Sequence, residues 1–417
     1  MKIKVFVLLV AILFVMCSAV MADKVTILKG NGNAFTVSEF DTSGTGTTSS
    51  KYYSKAITSA AANPATGEVV IGFTNGTAAV VDYNHLGTTI TSGTIGNGSN
   101  VLSVAIRPNG ELYFANVDGW AYARSHTNVT AVPPGYVLPA NLQFIPVYDV
   151  NDPNAIHPPA YLTVTVNPQD KAIFVSTDAK QTKVRQGNDM NSVPSGYVNS
   201  YMEWDRIITA CRTLSTGDVV LATGTVTGTA QVFIRDDANM AAAPAGYVGD
   251  GTTFGSGARI VALAVSKKDY VVIGNDSGQV FVRKASDLTQ SVIPGFASTS
   301  TSDMAAYNGI AALAVTSNNN VVIALYDGRV YVRSLFDIDG ADICPMTPRY
   351  SGGTPVIAAV VVSKTETITL TCADIIARGG DMDMDLNEDC YIDFADFAML
   401  ALNWTQCNDP QNGNCQE

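Results

Sequence analysis

The sequence predicts an all-β chain whose body is a ring of repeated sheets, and three observations predict it. A strand of small and β-branched residues recurs seven times between Asp23 and Thr371. A tight-turn dipeptide follows several of the copies, and long helical periodicity is absent. The copies are spaced by roughly 45–60 residues, near the range in which repeats mean stacked or radially arranged units.

The first strand of each copy is Ile57–Ala61, Val101–Ala105, Tyr161–Thr165, Ile207–Cys211, Ile260–Ala264, Ile310–Ala314 or Val356–Val360. A second apolar strand follows in most, as in Val271-Val272-Ile273-Gly274 and Val321-Val322-Ile323-Ala324. Then come Asn75-Gly76, Asp118-Gly119, Ser277-Gly278 and Asp327-Gly328. Asx-Gly between alternating runs predicts a type I′ hairpin turn, which needs positive φ at its central residues. A third strand alternates after it, as in Val280-Phe281-Val282-Arg283 and Val330-Tyr331-Val332-Arg333.

Three- or four-stranded units joined by short loops close radially into a β-propeller. The first strand of each blade then lines the axis, where space is tight and small residues fit. Cys211 stands where other copies carry Ala61, Ala105, Ala264 and Ala314, so it reads as a buried thiol in an alanine place. The seventh copy stops after a second strand across Glu366–Thr371. The segment Val25–Val37, with Gly30-Asn31-Gly32, resembles second and third strands and would complete the last blade. The expected count is seven blades; pairing the N-terminal hairpin differently gives six or eight. The body resembles a propeller of the WD40/YVTN-like type, without a specific family motif.

Two side-chain patterns recur inside the repeat. Arg124, Arg185, Arg235, Arg283 and Arg333 end third strands. Pro133-Pro134-Gly135-Tyr136, Pro194-Ser195-Gly196-Tyr197 and Pro244-Ala245-Gly246-Tyr247 follow, with Pro294-Gly295-Phe296 as a shortened copy. One reading is a ring of sugar sites, each an aromatic platform beside a planar donor. The favoured one is packing: Arg on an aromatic ring, and Pro-Gly fixing a turn into the outer strand. The deviant insert Leu138–Pro159 is either a lid or a plain surface excursion.

Catalytic arrangements are hard to find. His85, His126 and His157 lie near no other histidine or cysteine at ligand spacing. Glu203 and Asp205 beside Arg206, and the pair Asp236-Asp237, read as loop carboxylates. Gly44-Thr45-Gly46 lacks the lysine of a phosphate cradle.

The two ends carry different signals. Met1-Lys2-Ile3-Lys4, an apolar run from Val5 to Met16, and Val20-Met21-Ala22 predict a secretory signal peptide over residues 1–22. The expectation is an exported chain, secreted or held at the cell surface, with no membrane insertion after cleavage. A net charge of −12 with only 15% charged residues argues against nucleic acid as a partner. From Ala373 onward ten acidic residues face the single basic Arg378, so composition changes abruptly near Cys372. This divides the exported part into a propeller, 23–371, and a tail, 372–417. Cys372, Cys390, Cys407 and Cys415 cluster in the tail and predict disulfides. Cys407–Cys415 with Cys372–Cys390 is the preferred one of three connectivities.

Within the tail, Asp385, Asn387, Asp389, Asp393 and Asp396 put side-chain oxygens at positions 1, 3, 5, 9 and 12 of a loop, and Tyr391 offers its carbonyl at position 7. That spacing wraps a hard cation, calcium, in oxygen ligands. An amphipathic helical run with Phe394, Phe397, Leu400 and Ala401 on one face follows. Asp385 to about Trp404 resembles a single dockerin repeat, with Ile392 at the apolar position and Asp at position 12. Dockerins carry two such loops; here there is one, with Cys390 at the usual glycine and Phe394-Ala395 at the recognition positions. The resemblance implies calcium binding and a cohesin-like or other cell-surface protein as a partner. A glycan or a protein is the expected ligand of the propeller. The rival expectation is a polysaccharide-active enzyme, a lyase or glycoside hydrolase, delivered by the tail.

Overall fold

The computed structural model describes residues 20–38, 49–63, 65–144, 162–176, 181–198, 200–201, 207–224, 230–249, 251–255, 258–291, 309–338 and 357–368. Residues Ala22–Glu366 form one compact unit. The signal segment up to residue 19, the tail, Cys344, His157, Glu203-Trp204-Asp205-Arg206, Gly44-Thr45-Gly46 and Pro294-Gly295-Phe296 lie outside the described residues. Among the described residues no helix is long and apolar enough to cross a membrane.

The body is an all-β propeller of seven sheets. The N-terminal strands are β1 (Val20–Lys29), β2 (Asn33–Ser38) and β3 (Ser49–Tyr52). Blade one holds β4 (Ile57–Asn63), β5 (Glu68–Phe73), β6 (Thr77–Asp82) and β7 (His85–Thr94). Blade two holds β8 (Val101–Ile106), β9 (Leu112–Asn116), β10 (Trp120–Arg124) and β11 (Asn141–Gln143). Blade three holds β12 (Leu162–Val166), β13 (Lys171–Ser176), β14 (Gln181–Gln186) and β15 (Ser200–Tyr201). Blade four holds β16 (Ile207–Thr213), β17 (Val219–Gly224), β18 (Gln231–Arg235) and β19 (Thr252–Thr253). Blade five holds β20 (Ile260–Val265), β21 (Tyr270–Asn275), β22 (Val280–Lys284) and β23 (Asp287–Ser291). Blade six has β24 (Ile310–Val315), β25 (Asn320–Leu325) and β26 (Val330–Ser334), three strands among the described residues. The last strand is β27 (Ile357–Ile368).

The seventh blade joins both ends of the chain, in the order β27-β1-β2-β3. This corrects one detail of the sequence reading. Glu366 belongs to the same twelve-residue strand as Ile357, so the C-terminal side gives one strand and the N-terminal side gives three. The closure is fastened by side chains as well. Ser363 Oγ donates to Lys24 O at 3.0 Å. Asp23, fully buried, accepts from Ser317 N at 2.5 Å and Ser317 Oγ at 2.9 Å in blade six.

The core is divided into seven apolar clusters, one between each pair of neighbouring blades. Second strands explain this, because successive side chains of a strand point to opposite faces. In β25, Val321, Ile323 and Leu325 pack toward blade five, while Val322 and Ala324 pack toward blade seven. Both faces are therefore dry, and the strand reads as a continuous apolar run. The blades approach closely at Gly274, where a Cβ would stand 2.8 Å from Ile310 Cγ2 of blade six.

The hairpin turns are of another type than the Asx-Gly signal predicts. Gly32, Gly76, Gly119, Gly278 and Gly328 have positive φ, but the residues before them do not. Each glycine N–H donates to the carbonyl three residues earlier, at 2.9–3.2 Å. Such a turn, ended by a left-handed glycine, belongs to the three-residue hairpin loops. The Asx side chain has its own task. Asn75 Oδ1 accepts from Thr77 N at 3.3 Å, and Asp327 Oδ1 from Arg329 N at 3.0 Å.

Gly76→Ala is expected to lower stability by about 2 kcal/mol or more, because φ is +71° and the new Cβ would lie 2.0 Å from Gly98 O. Gly87→Ala, with nothing within 4 Å, is expected to stay within about 0.5 kcal/mol of the unsubstituted chain. Denaturant midpoints of the two variants check this.

Candidate functional site

First strands of all seven blades enclose a cavity of about 350 Å³ on the axis of the ring. Its walls are Ala, Val, Ile and Leu, with Thr165, Arg212 and Thr213 as the polar exceptions. The small residues at the starts of the repeats do line the axis, as predicted. Near its entrance the residue facing this space is Ala62, Ile106, Val166, Val265 or Val315 in five of the blades and Thr213 in blade four. The sequence reading passed over Arg212. Strand pairing puts Arg212 level with Ala105, Thr165, Ala264 and Ala314, one residue away from the alignment that the sequence suggests.

The axial cavity shares Ala62, Ile106, Val166, Thr213 and Val265 with an opening of about 420 Å³ at one end of the ring. First strands turn into second strands here. The turns hold left-handed residues at Gly67, Gly110, Asp170, Gly217, Asp269 and Asn319, with φ between 58° and 104°. These are the residue types that tolerate that region. Neighbouring turns are tied across the blades. Arg107 Nε donates to Asp170 Oδ1 at 2.8 Å, and Arg107 also pairs with Glu111. Burial alone would pull the Arg107 guanidinium down, but the Asp170 hydrogen bond and charge outweigh it and leave the pKa above the ordinary value. Asp269 accepts from Ser215 N at 2.7 Å. Gln169 Nε2 donates to Thr216 O at 3.0 Å.

Three carboxylates gather on blade four: Asp218, Asp236 and Asp237 each bring one oxygen within 4.8 Å of the others. All are half-buried, and donors of this chain already hold them. Asp237 Oδ2 accepts from Asn167 Nδ2 at 2.7 Å and Tyr197 OH at 2.8 Å. Asp218 Oδ2 accepts from Thr216 Oγ1 at 2.7 Å and Tyr247 OH at 3.1 Å. Asp236 Oδ1 accepts from Ala238 N at 2.8 Å. The group works as an anchorage for two tyrosines.

Those tyrosines belong to the Pro-x-Gly-Tyr pattern, and the structure gives the pattern a sharper role than a turn into the outer strand. Gly135, Gly196 and Gly246 have positive φ, and each following tyrosine N–H closes a turn onto the proline carbonyl. The next residue then crosses to the neighbouring blade. Val137 N reaches Asn188 O at 2.9 Å, Val198 N reaches Ala238 O at 2.9 Å, and Val248 N reaches Ser286 O at 3.1 Å. After this crossing the chain returns to pair its own outer strand, as at β15 with β14. The segments are straps between blades.

The recurrent arginines pack, as favoured. The guanidinium carbon lies 4.9 Å from the Tyr122 ring centroid for Arg124, 4.9 Å from Phe233 for Arg235, and 5.6 Å from Tyr331 for Arg333. Burial holds the guanidinium groups of Arg124, Arg185 and Arg283 below their usual pKa. In the insert, β11 completes blade two and Phe144 is fully buried among Tyr113 and Phe174. Residues 145–161 lie outside the described residues. His126 Nδ1 lies 2.9 Å from Glu68 Oε1, and His85 Nδ1 lies 3.6 Å from Asp82 Oδ1. Cys211 is fully buried, as expected, but strand pairing corrects its place: it stands level with Leu263 and Leu313 and not with Ala264 and Ala314, and burial pushes its thiol up to about 12. The calcium ligands expected in the tail, Asp385, Asn387, Asp389, Tyr391, Asp393 and Asp396, lie outside the described residues.

No protein-family model matches the chain, and no curated protein matches it. Among solved structures it is similar to the WD40 β-propeller domain of Doa1, at 13% identity and TM-score 0.50, covering 75% of this chain and 89% of that one. It is also similar to the β-propeller domain of Cps50 (Swd1) from Myceliophteria thermophila, at 11% identity and TM-score 0.52, covering 75% and 92%. Likeness at these identities establishes the fold.

Two outcomes follow from these environments. Iodoacetamide at about pH 8 is expected to leave Cys211 unmodified in the folded chain and to label it after denaturation, because a buried thiol is neither accessible nor ionised. Peptide mapping checks this. Desolvation, the largest influence on them, pushes Tyr113, Tyr197 and Tyr247 up to about 12 from the ordinary value of 10.0. The folded chain binds these protons more tightly than the unfolded one, so stability is expected to fall as pH rises from 10.0 toward about 12. Denaturant midpoints across that window, with Tyr197→Phe and Tyr247→Phe flattening the slope, check the assignment.

Proposed function

We propose that this chain is an exported binding or scaffold protein. The propeller takes a ligand at its axial opening, and the acidic tail binds calcium and docks to a cohesin-like or other surface protein. The observation that carries the binding part is the cavity itself. First strands of all seven blades converge on one open space, while the recurrent Arg and Tyr side chains are taken up by packing. Ligand sites are concave and carry placed polar groups, and in this concave space backbone polar atoms, Thr165, Arg212 and Thr213 accompany the aliphatic side chains. A glycan or a protein segment is the ligand class proposed for the opening.

Export rests on the N-terminal signal. Cleavage after Ala22 would leave Asp23 and the whole Lys24–Leu28 pairing with β2 in place, so the mature chain keeps its ring closure. The tail rests on ligand spacing: Asp385, Asn387, Asp389, Asp393 and Asp396 with the Tyr391 carbonyl make an oxygen set suited to calcium. The Asp218–Asp236–Asp237 group favours the rival reading, a polysaccharide-active enzyme, since Asn167 links it to the opening. Its oxygens are engaged by donors within the chain, and for that reason the binding reading is preferred.

Calorimetric titration of the secreted chain is expected to show one calcium ion per molecule, lost when Asp385 and Asp389 are both replaced by alanine. The propeller's thermal midpoint is expected to stay unchanged in that variant. Absence of calcium binding in the unsubstituted chain defeats the tail assignment. Retention of a surface protein only in the presence of calcium supports docking. Turnover of a polysaccharide that is abolished by Asp237→Asn would replace the binding reading with the enzymatic one.

A further inference from the structure

Blade one departs from the other blades at its outer edge. Blades two, three and four leave their third strand through a strap and return as outer strands of three, two and two residues. Blade one turns straight back at Tyr83-Asn84 and runs for ten residues as β7. The third strand marks the difference too. Two residues after the left-handed turn residue, Leu112, Ala172, Val219, Val271 and Val321 pair with Arg124, Arg185, Arg235, Arg283 and Arg333. In blade one the corresponding Val69 pairs with Val81.

Strand β7 ends its sheet, and among the described residues no further strand pairs with it. It is fastened at both ends. Leu86 and Ile95 are fully buried, Leu86 N donates to Ser49 Oγ at 2.9 Å, and Tyr53 OH donates to Leu86 O at 2.9 Å. Between these ends Gly87, Thr88, Thr89, Ile90 and Ser92 are exposed. A bulge leaves Ile90 without a partner on β6, since Val80 faces Thr91 and Val81 faces Thr89. Natural sheets blunt their edges with short strands, charges, prolines or bulges. The outer strand β3 carries Lys51 and β23 carries Asp287. Strand β7 has no Asp, Glu, Lys, Arg or Pro, and its bulge presents an isoleucine that is 47% exposed.

We infer that β7 is a docking edge for a second copy of this chain, joined by antiparallel strand addition about Ile90. Edge N–H and C=O groups of one copy then take those of the other. Two observations select a second copy over another extended segment. Gly87-Thr88-Thr89-Ile90-Thr91-Ser92-Gly93 reads almost the same in both directions. A two-fold axis through Ile90 therefore sets Ile90 against Ile90, Thr89 against Thr91 and Thr88 against Ser92. A two-fold contact demands such self-complementarity, and paired hydroxyls and paired β-branched side chains stabilise neighbouring strands. The second observation is charge. The chain carries a net charge of −12, so two copies repel each other over most of their surface. No residue from Leu86 to Ile106 is charged, and here two copies can meet. The edge belongs to an outer strand and not to the axis, so the inference rests neither on the axial ligand nor on the tail.

The test is sedimentation velocity of the secreted full chain at about 1 to 100 μM, the range in which small, weak interfaces form. The unsubstituted chain is expected to shift from monomer to dimer as concentration rises. Ile90→Lys sets two like charges against each other and is expected to weaken the dimer at least about tenfold, with an unchanged thermal midpoint. Ile90→Cys brings two thiols together across the axis. It is expected to form a disulfide-linked dimer at least about tenfold faster than Val248→Cys, a residue of blade four that is 53% exposed. The cysteine variant keeps the test alive where the lysine variant fails to fold. A chain that stays monomeric throughout overturns the second copy as occupant. A dimer undiminished in Ile90→Lys, or equal cross-linking of the two cysteine variants, puts the contact elsewhere and overturns the edge assignment.

Discussion

Every blade of this protein has two apolar faces and needs a neighbour on each side. The second strands make this unavoidable. Val321, Ile323 and Leu325 look one way and Val322 and Ala324 the other, so no blade can dry itself. A row of such sheets is stable only if the row has no ends, and a ring removes both. The requirement explains why the last sheet is shared between Ile357–Ile368 and the N-terminal strands. It also explains why Asp23 and Ser363, far apart in sequence, lie fully buried at the seam.

Sealing the ring calls for contacts between blades besides apolar packing. The ties at the first turns, Arg107 with Asp170 and Ser215 with Asp269, join neighbours at the rim of the opening. The Pro-x-Gly-Tyr straps do the same further out, since each lends one backbone N–H to the next blade before returning. The carboxylates Asp218 and Asp237 then hold the strap hydroxyls. Polar groups that resemble a site in sequence thus serve the joint between blades, because a buried hydroxyl or carboxylate needs its partner.

The axis is where this economy stops. Seven first strands cannot meet at a point, so even alanine and valine leave a cavity between them. A cavity of this kind is available for a ligand without disturbing the blade contacts. Among the described residues Arg212 is the one charged residue of this wall, level with Ala264 and Ala314 of other blades.

The repeat, the all-β class, the seven first strands and the small residues at the axis were legible in the sequence, because strand periodicity and residue size are local properties. The burial of Cys211 was legible too, but not its register: pairing puts it level with Leu263 and Leu313, because the bulge in each first strand is set by the partner strand and leaves no mark in the sequence. Turn type was misread, since the dipeptide Asn75-Gly76 fixes where the chain reverses but the bond from Gly76 N to Phe73 O decides how. The split of the closing blade was misjudged as well: one strand over Ile357–Ile368 leaves no sequence mark separating it from two strands, the second across Glu366–Thr371. Tertiary structure alone decided that Tyr197 reaches Asp237, that straps cross between blades, and that Arg212 faces the axis of the ring. These depend on residues brought together from different blades, and a charge is paired or unpaired only when its neighbours in space are known.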